Sequence, residues 1–284
     1  MTAAGSEVVT VGARERRSAA RRKELSSFLR AARERVKPAE HGLAVGARRR
    51  APGLLREEVA QLAAISSSWY SWLEQGRHIQ VSGQVLASVA DVLRLSPAER
   101  DHVFVLAGHT PPGAAQARGS ADSVADRALR RMVHQLRDAP AYLVDARWDI
   151  VEWNEAATVL FGLPLHEVPR AERNALRFAL LGTHAPLRFL DPVGSAHVHV
   201  ARFRADTTAL IGEPEFEEQI ESLLRDSSLF RRLWPLREVH RRGPGPLSYR
   251  HDALGPLRFD FVPTTADHGS GLRLHSFLPV RADL

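Results

Sequence analysis

Residues 56–77 read REEVAQLAAISSSWYSWLEQGR, and few backbones satisfy that pattern. Its apolar positions, Val59, Ala60, Ala63, Ile65, Tyr70 and Leu73, recur at the spacing of two short helices that bury one stripe each across a turn. Ala60 stands where the two helices cross too closely for a long side chain. Ser66 falls where the second helix must begin, and a serine there accepts a hydrogen bond from an amide that the first turn leaves unpaired. The template is a helix-turn-helix. It buries Tyr70 and turns Ser67, Ser68, Ser71 and Trp72 outward.

Short helices are predicted on both sides. Leu25, Phe28, Leu29 and Ala32 form one apolar stripe before Pro38 and Gly42 end it. Val85, Leu86, Val89 and Leu93 form another after Ser82. Ser96-Pro97-Ala98-Glu99 is a capping box with proline at the first helical position, and Gly108 stands where that helix stops. Residues 24–109 therefore read as an all-α bundle, preceded by a basic, flexible arm over 1–23.

Charge says what such a bundle meets. Residues 1–118 carry 18 basic and 11 acidic side chains, whereas residues 119–284 carry 21 and 22, so the whole excess lies in the first part. A positive field concentrated in this way attracts a polyanion, nucleic acid first, because each phosphate neutralised releases a condensed counterion. The outward face of the second helix then enters the major groove of double-stranded DNA, where small hydroxyls allow close approach to base edges. Arg48, Arg49 and Arg50, in a loop with no structural demand for charge, are expected at phosphates, as are Arg56 and Arg77. Ser66 and Gln75 complete the DNA-facing set. One short helix reads too few base pairs alone, so a homodimer on two half-sites is expected.

Residues 110–122 are rich in Pro, Gly, Ala and Ser and mark a linker. Beyond it, over 123–284, the pattern turns to mixed α and β. AYLV (141–144) and DIVEW (149–153) read as strands around a turn, helical segments occupy roughly 154–234, and LSYRH, PLRFDFVP and LRLHSFLP read as antiparallel strands. Asn154 is expected to cap the helix that follows it.

Several chemistries are excluded or unsupported. With no cysteine there is no disulfide, thiolate nucleophile or cysteine metal site. There is no phosphate loop, G-x-S-x-G elbow or H-E-x-x-H, so no catalytic residue and no cofactor is expected. His197 and His199 form an HVH pair, but on a helix i and i+2 diverge, and no metal is expected there. No apolar run is long enough for a membrane helix and no secretory signal opens the chain, so a cytoplasmic protein without membrane contact is expected.

GARRRAPGLLREEVAQLAAIS with WYSWLEQGR, followed by QVLASVADVLRLSPAERDHVFVLAG, resembles the XRE-type, lambda-repressor-like DNA-binding domain of MmyB-like transcriptional regulators. PAYLVDARWDIVEWNEAATVLFG, Arg173-Asn174, SSLFRRLW at 227–234 and YRHDALGPLRFDF at 249–261 are similar to that family's PAS-like ligand-binding domain. The resemblance implies a two-domain α+β protein: an N-terminal all-α helix-turn-helix bundle, and a C-terminal PAS-like antiparallel sheet with flanking helices. It implies a one-component transcriptional regulator, with repression as the expected sign, that senses a small apolar ligand such as a fatty acid. Trp153, Phe161, Phe178, Phe203, Phe259 and Phe261 are the expected apolar lining, with Arg204, Arg237 and His251 as polar groups at its rim.

Departures from the family pattern sit at informative places. Leu55 and Trp72 stand where members commonly carry arginine, which removes two phosphate contacts, and the usual glycine of the turn is Ala64, strained wherever φ is positive. The alternative these departures open is a protein-interaction regulator with weakened DNA binding.

Overall fold

The computed structural model describes residues 3–43, 51–111, 123–162, 165–182, 187–240, 243–265 and 271–280. The chain divides into two compact units, Met1–Pro112 with Thr208–Gln219, and Gly113–Thr207 with Ile220–Leu284. Arg48, Arg49 and Arg50 lie outside the described residues, as does nearly all of the expected linker.

The first unit is helical. α1 runs from Ala3 to Arg35 and continues without a break through residue 23, where the sequence pattern ends a flexible arm. The reason is local: residues 13–25 are mostly Ala, Arg, Glu, Lys and Leu, good helix formers with no proline among them. α2 (Arg56–Leu62), α3 (Ser67–Glu74), α4 (Gly83–Val92) and α5 (Pro97–Leu106) follow. The stripe of α1, Leu25, Phe28, Leu29 and Ala32, is buried with Val59, Tyr70, Leu73, Leu86, Val89 and Val103. Ser66 and Ser96 accept hydrogen bonds from the amides of Trp69 and Glu99, so both helix starts are capped as the sequence predicts. Ala64 adopts φ of 55°, the left-handed conformation that a side chain disfavours.

The second unit is a six-stranded antiparallel sheet with flanking helices. Its elements are α6 (Val124–Gln135), β1 (Ala141–Val144), β2 (Ile150–Trp153), α7 (Glu155–Phe161), α8 (Ala175–Leu181), β3 (Leu187–Phe189), α9 (Pro192–Thr207), the second half of α10 (Pro214–Asp226), α11 (Ser228–Leu233), β4 (Gly245–His251), β5 (Gly255–Thr265) and β6 (Arg273–Pro279). The strand order is β2-β1-β6-β5-β4-β3. β3 is absent from the sequence expectation, because its three residues are too few to show alternation and its pairing partner β4 is far away in sequence.

Strand alternation divides this sheet between two surroundings. Ala141, Leu143 and Leu274 point one way and form a core with Leu129 and Val133 of α6. Their neighbours Tyr142, His275 and Phe277 point the other way, toward a hollow. Asn154 ties the first strands together: its Oδ1 accepts from the amides of Ala141 and Ala157 at 3.0 and 2.9 Å, and its Nδ2 donates to the carbonyls of Leu136 and Ala139.

Candidate nucleic-acid interface and ligand cavity

The face of α3 is set from behind. Glu74 is fully buried and receives Arg33 through two hydrogen bonds, Nε to Oε2 at 2.8 Å and Nη2 to Oε1 at 2.9 Å, and Arg56 through Nε to Oε1 at 3.0 Å. Burial alone raises the pKa of Glu74, but the hydrogen bonds and charge of Arg33, then of Arg56, outweigh it and hold the carboxyl below its ordinary value. Arg33 also donates to the carbonyl of Leu54 at 2.7 Å, which joins α1, the start of α2 and the end of α3 in one network. Arg56, expected at a phosphate, spends part of its donor capacity on this pair and is 39% exposed beyond it.

What α3 leaves outside is uncharged: serine hydroxyls and one indole. Ser67 and Ser68 are exposed, Ser71 is half-buried, and Trp72 is 41% exposed while its neighbour Leu73 is buried. Just after the helix, the guanidinium of Arg77 lies 5.8 Å from the Trp72 ring centre and donates to Oε1 of Gln75 at 3.0 Å. Six of the residues expected on the DNA side, Ser67, Ser68, Ser71, Trp72, Gln75 and Arg77, therefore lie at least partly exposed on α3 and just after it, with Ser66 at the helix start as its cap.

The hollow of the second unit has a volume of about 60 Å³. Residues of five strands (β1, β3, β4, β5 and β6) and three helices (α7, α8 and α9) line it, many of them aromatic, among them Tyr142, Trp148, Phe161, Phe178, Tyr249, Phe261 and Phe277. Phe161 and Phe178 stack at 5.1 Å. Trp148 sits under it with φ of 67° in the turn between β1 and β2, where Oδ1 of Asp145 accepts from the amides of Arg147 and Asp149. Asn174 pins that turn by donating to the carbonyl of Arg147 at 3.0 Å and to Asp149 at 2.9 Å, while its Oδ1 caps α8.

One guanidinium reaches this aromatic wall. Arg202 of α9 lies 5.4 Å from the Trp148 ring centre and 5.0 Å from that of Phe261, with Nη2 3.2 Å from Nε2 of His275. Asp206, one turn on, accepts from Trp148 Nε1 at 3.2 Å and stands 3.7 Å from Arg202 and 3.8 Å from Arg273. His275 is held neutral, its pKa well below the ordinary histidine value, by burial first and by Arg202 and Arg273 next.

Of the residues expected to line a ligand site, Phe161, Phe178 and Phe261 do. The others are elsewhere. Phe203 is fully buried behind the wall against Trp148, and Phe259 packs on Tyr249 and Phe277. Trp153 lies on the edge strand β2 beneath the guanidinium of Arg173. Arg204 stacks 3.7 Å above the Trp234 ring and donates to that residue's carbonyl. Two positions from Arg202 on a helix, it has turned to the opposite side. Arg237 ends a 3-10 turn with φ of 56°, and His251 closes β4, its Nδ1 accepting from the amides of Ala253 and Leu254. Arg202, Tyr142, Trp148, His199, Tyr249 and His275 line the cavity and are not among the ligand-site residues expected from the sequence. In the HVH pair, His197 pairs with Glu238 at 2.9 Å while His199 faces the cavity. Among the described residues, no cluster of histidine, aspartate and glutamate is arranged to hold a metal ion.

A helix-turn-helix bundle and a sheet-walled cavity in one chain define a DNA-binding transcription regulator with a ligand-binding domain. Family comparison matches residues 125–283 to the MmyB-like transcription regulator ligand binding domain and residues 24–103 to a helix-turn-helix domain. The first match covers more than half of the chain, which belongs to the MmyB-like transcription regulators. No curated protein matches it. No helix among the described residues is long and apolar enough to cross a membrane.

Proposed function

We propose that this protein is a one-component repressor that binds its operator as a homodimer and is controlled by a small apolar acid held in the sheet cavity. The observation that carries the ligand class is Arg202, a cation in contact with the rings of Trp148 and Phe261 at the wall of an otherwise largely apolar hollow. A carboxylate bound there forms charge-assisted hydrogen bonds to a guanidinium that aromatic faces have already oriented. Fatty acids belong to this class. A cavity of about 60 Å³ takes a head group and a short apolar body, so a long acyl chain requires the stacked Phe161 and Phe178 to part.

Native mass spectrometry of the purified protein, followed by thermal-shift measurements with short-, medium- and long-chain carboxylic acids and the matching alcohols, tests this. Acids should stabilise and alcohols should not, by about 2.7 kcal/mol at a hundredfold excess over the dissociation constant. Equal shifts for acid and alcohol, or none for either, remove Arg202 from the proposal. On the DNA side, operators selected from random duplexes should show two half-sites about one helical turn apart.

The exposed Leu55, Leu62 and Trp72 favour a second reading, a protein-interaction regulator with weakened DNA binding. Failure of selection to enrich any duplex, with a partner protein retained on the same face, would decide for it.

A further inference from the structure

The first unit carries a second hollow. It is an open trough of about 650 Å³, bounded by one face of α1, the loop that follows α3, and the end of α5. Five arginines and two histidines line it and no aspartate or glutamate does, so every formal charge on its wall is positive. Arg14, Arg17, Arg21 and Arg22 come from α1, at spacings that put them on one side of the helix, and Arg77 comes from the loop. Beneath them the floor is apolar, made by the buried Leu25, Leu73 and Leu106.

Cations crowded in this way repel one another unless something negative joins them. Arg21 registers the crowding: its pKa is below the usual arginine value because of burial first and Arg17 second. Contacts inside the unit use only part of the donor capacity. Arg21 Nη2 donates to the carbonyl of Ala209 at 2.6 Å, Arg17 pairs with Glu213, and Arg22 Nη1 donates to Ser18 Oγ at 2.6 Å. The Nε atoms of Arg17 and Arg21 are buried with no hydrogen-bond partner among the described residues.

We propose that this trough binds a small organic phosphate of nucleotide size, its phosphates held by the arginines of α1 and by Arg77 and its apolar body laid on Leu25, Leu73 and Leu106. Guanidinium forks match phosphate oxygens in pairs, and a hollow closed on three sides fits a discrete molecule better than the convex backbone of a duplex. The site has a route to the recognition helix: Arg77 lines the trough and also stacks on Trp72, so a phosphate that draws Arg77 inward takes it from the α3 surface. That last link rests on the DNA-binding reading above; the binding itself does not.

The test uses the full chain at low ionic strength without DNA. ATP, GTP and inorganic pyrophosphate are the probes and adenosine is the control. The nucleotides and pyrophosphate should raise the melting temperature and adenosine should not. The double variant Arg14→Glu/Arg22→Glu spares the Ala209 and Glu213 contacts and should bind ATP at least about tenfold more weakly, as loss of two charged hydrogen bonds implies. If that variant fails to fold, Arg77→Gln, in the loop, gives the same comparison. Photo-crosslinking with 8-azido-ATP should label residues 12–25 or 76–81. Absence of any phosphate-dependent shift, unchanged affinity in the variants, or labelling only outside those segments overturns the proposal. Loss of duplex-DNA affinity in a variant, with no binding of any small phosphate to the wild type, also overturns it and makes the trough part of the DNA footprint.

Discussion

Arg202 Nη2 lies 3.2 Å from Nε2 of His275, and a guanidinium can only donate, so Nε2 is the acceptor and the ring proton sits on Nδ1. The neutral imidazole fixes the direction of the arginine, and Asp206, 3.7 Å away, supplies its counter-charge. Protonating His275 would set two cations against each other among the rings of Tyr142, Trp148 and Phe261.

The pair makes the second unit sensitive to acid. In the unfolded chain a histidine takes up a proton near pH 6.5, whereas folded His275, its pKa depressed by burial and by Arg202, does not. The folded state then binds fewer protons, so stability is complete above about pH 6.5 and falls as pH drops toward the folded value. Scanning calorimetry between neutral and mildly acid pH should show this fall in the wild type and a flatter profile in His275→Gln. Because His199 faces the same cavity in both proteins, only the difference between them reports on His275.

Glu74 makes the first unit sensitive at lower pH. Its carboxyl is held below the ordinary range, so the stability from the Arg33 and Arg56 bonds is present above about pH 4.3 and is lost as pH falls through the folded value. Removing the carboxylate by Glu74→Gln leaves the buried Arg33 without its hydrogen-bonded counter-ion and with only the half-exposed Glu34 at 3.6 Å, which should cost up to about 3–5 kcal/mol. Hydrogen exchange in α3 should accelerate in step, and protection unchanged from the wild type would refute the assignment.

Ala64 offers a stabilising change. Its φ of 55° costs an alanine about 1–2 kcal/mol, and glycine takes the same conformation freely while losing about 0.4–1 kcal/mol to unfolded-state entropy. Ala64→Gly should therefore gain between about 0 and 1.6 kcal/mol in urea denaturation. A loss would mean that the Ala64 methyl makes a contact worth more than the strain.

Local chemistry was the readable part. Ser66, Ser96 and Asn154 declare their helix starts because a cap depends on residues within one turn, and the α1 stripe is legible for the same reason. The cavity was not. α9 buries Ala196, Val200, Arg202, Phe203 and Arg204 on more than one side, so its sequence does not say which arginine faces the sheet, and Arg204 stands two residues, about 200° of helical turn, from the Arg202 that does. Tyr142 and His275 share a face only because β1 pairs with β6, more than a hundred residues on.

Trp72 should carry sequence preference of a particular kind. The outward face of α3 offers hydroxyls from Ser67, Ser68 and Ser71, which donate and accept alike and so distinguish bases poorly. The exposed indole has no such ambiguity. In the major groove the one apolar feature is the thymine methyl, and covering a methyl is worth about 0.8 kcal/mol, or roughly fourfold in affinity. Arg77, stacked on the same ring, holds the indole toward the helix end. Operators selected from random duplexes should then contain a thymine whose replacement by uracil, which removes only the methyl, weakens wild-type binding about fourfold. Trp72→Ala should bind the two duplexes equally. Equal sensitivity in wild type and variant would show that the indole does not read that methyl, and no sensitivity at any thymine would return Trp72 to the protein-contact reading.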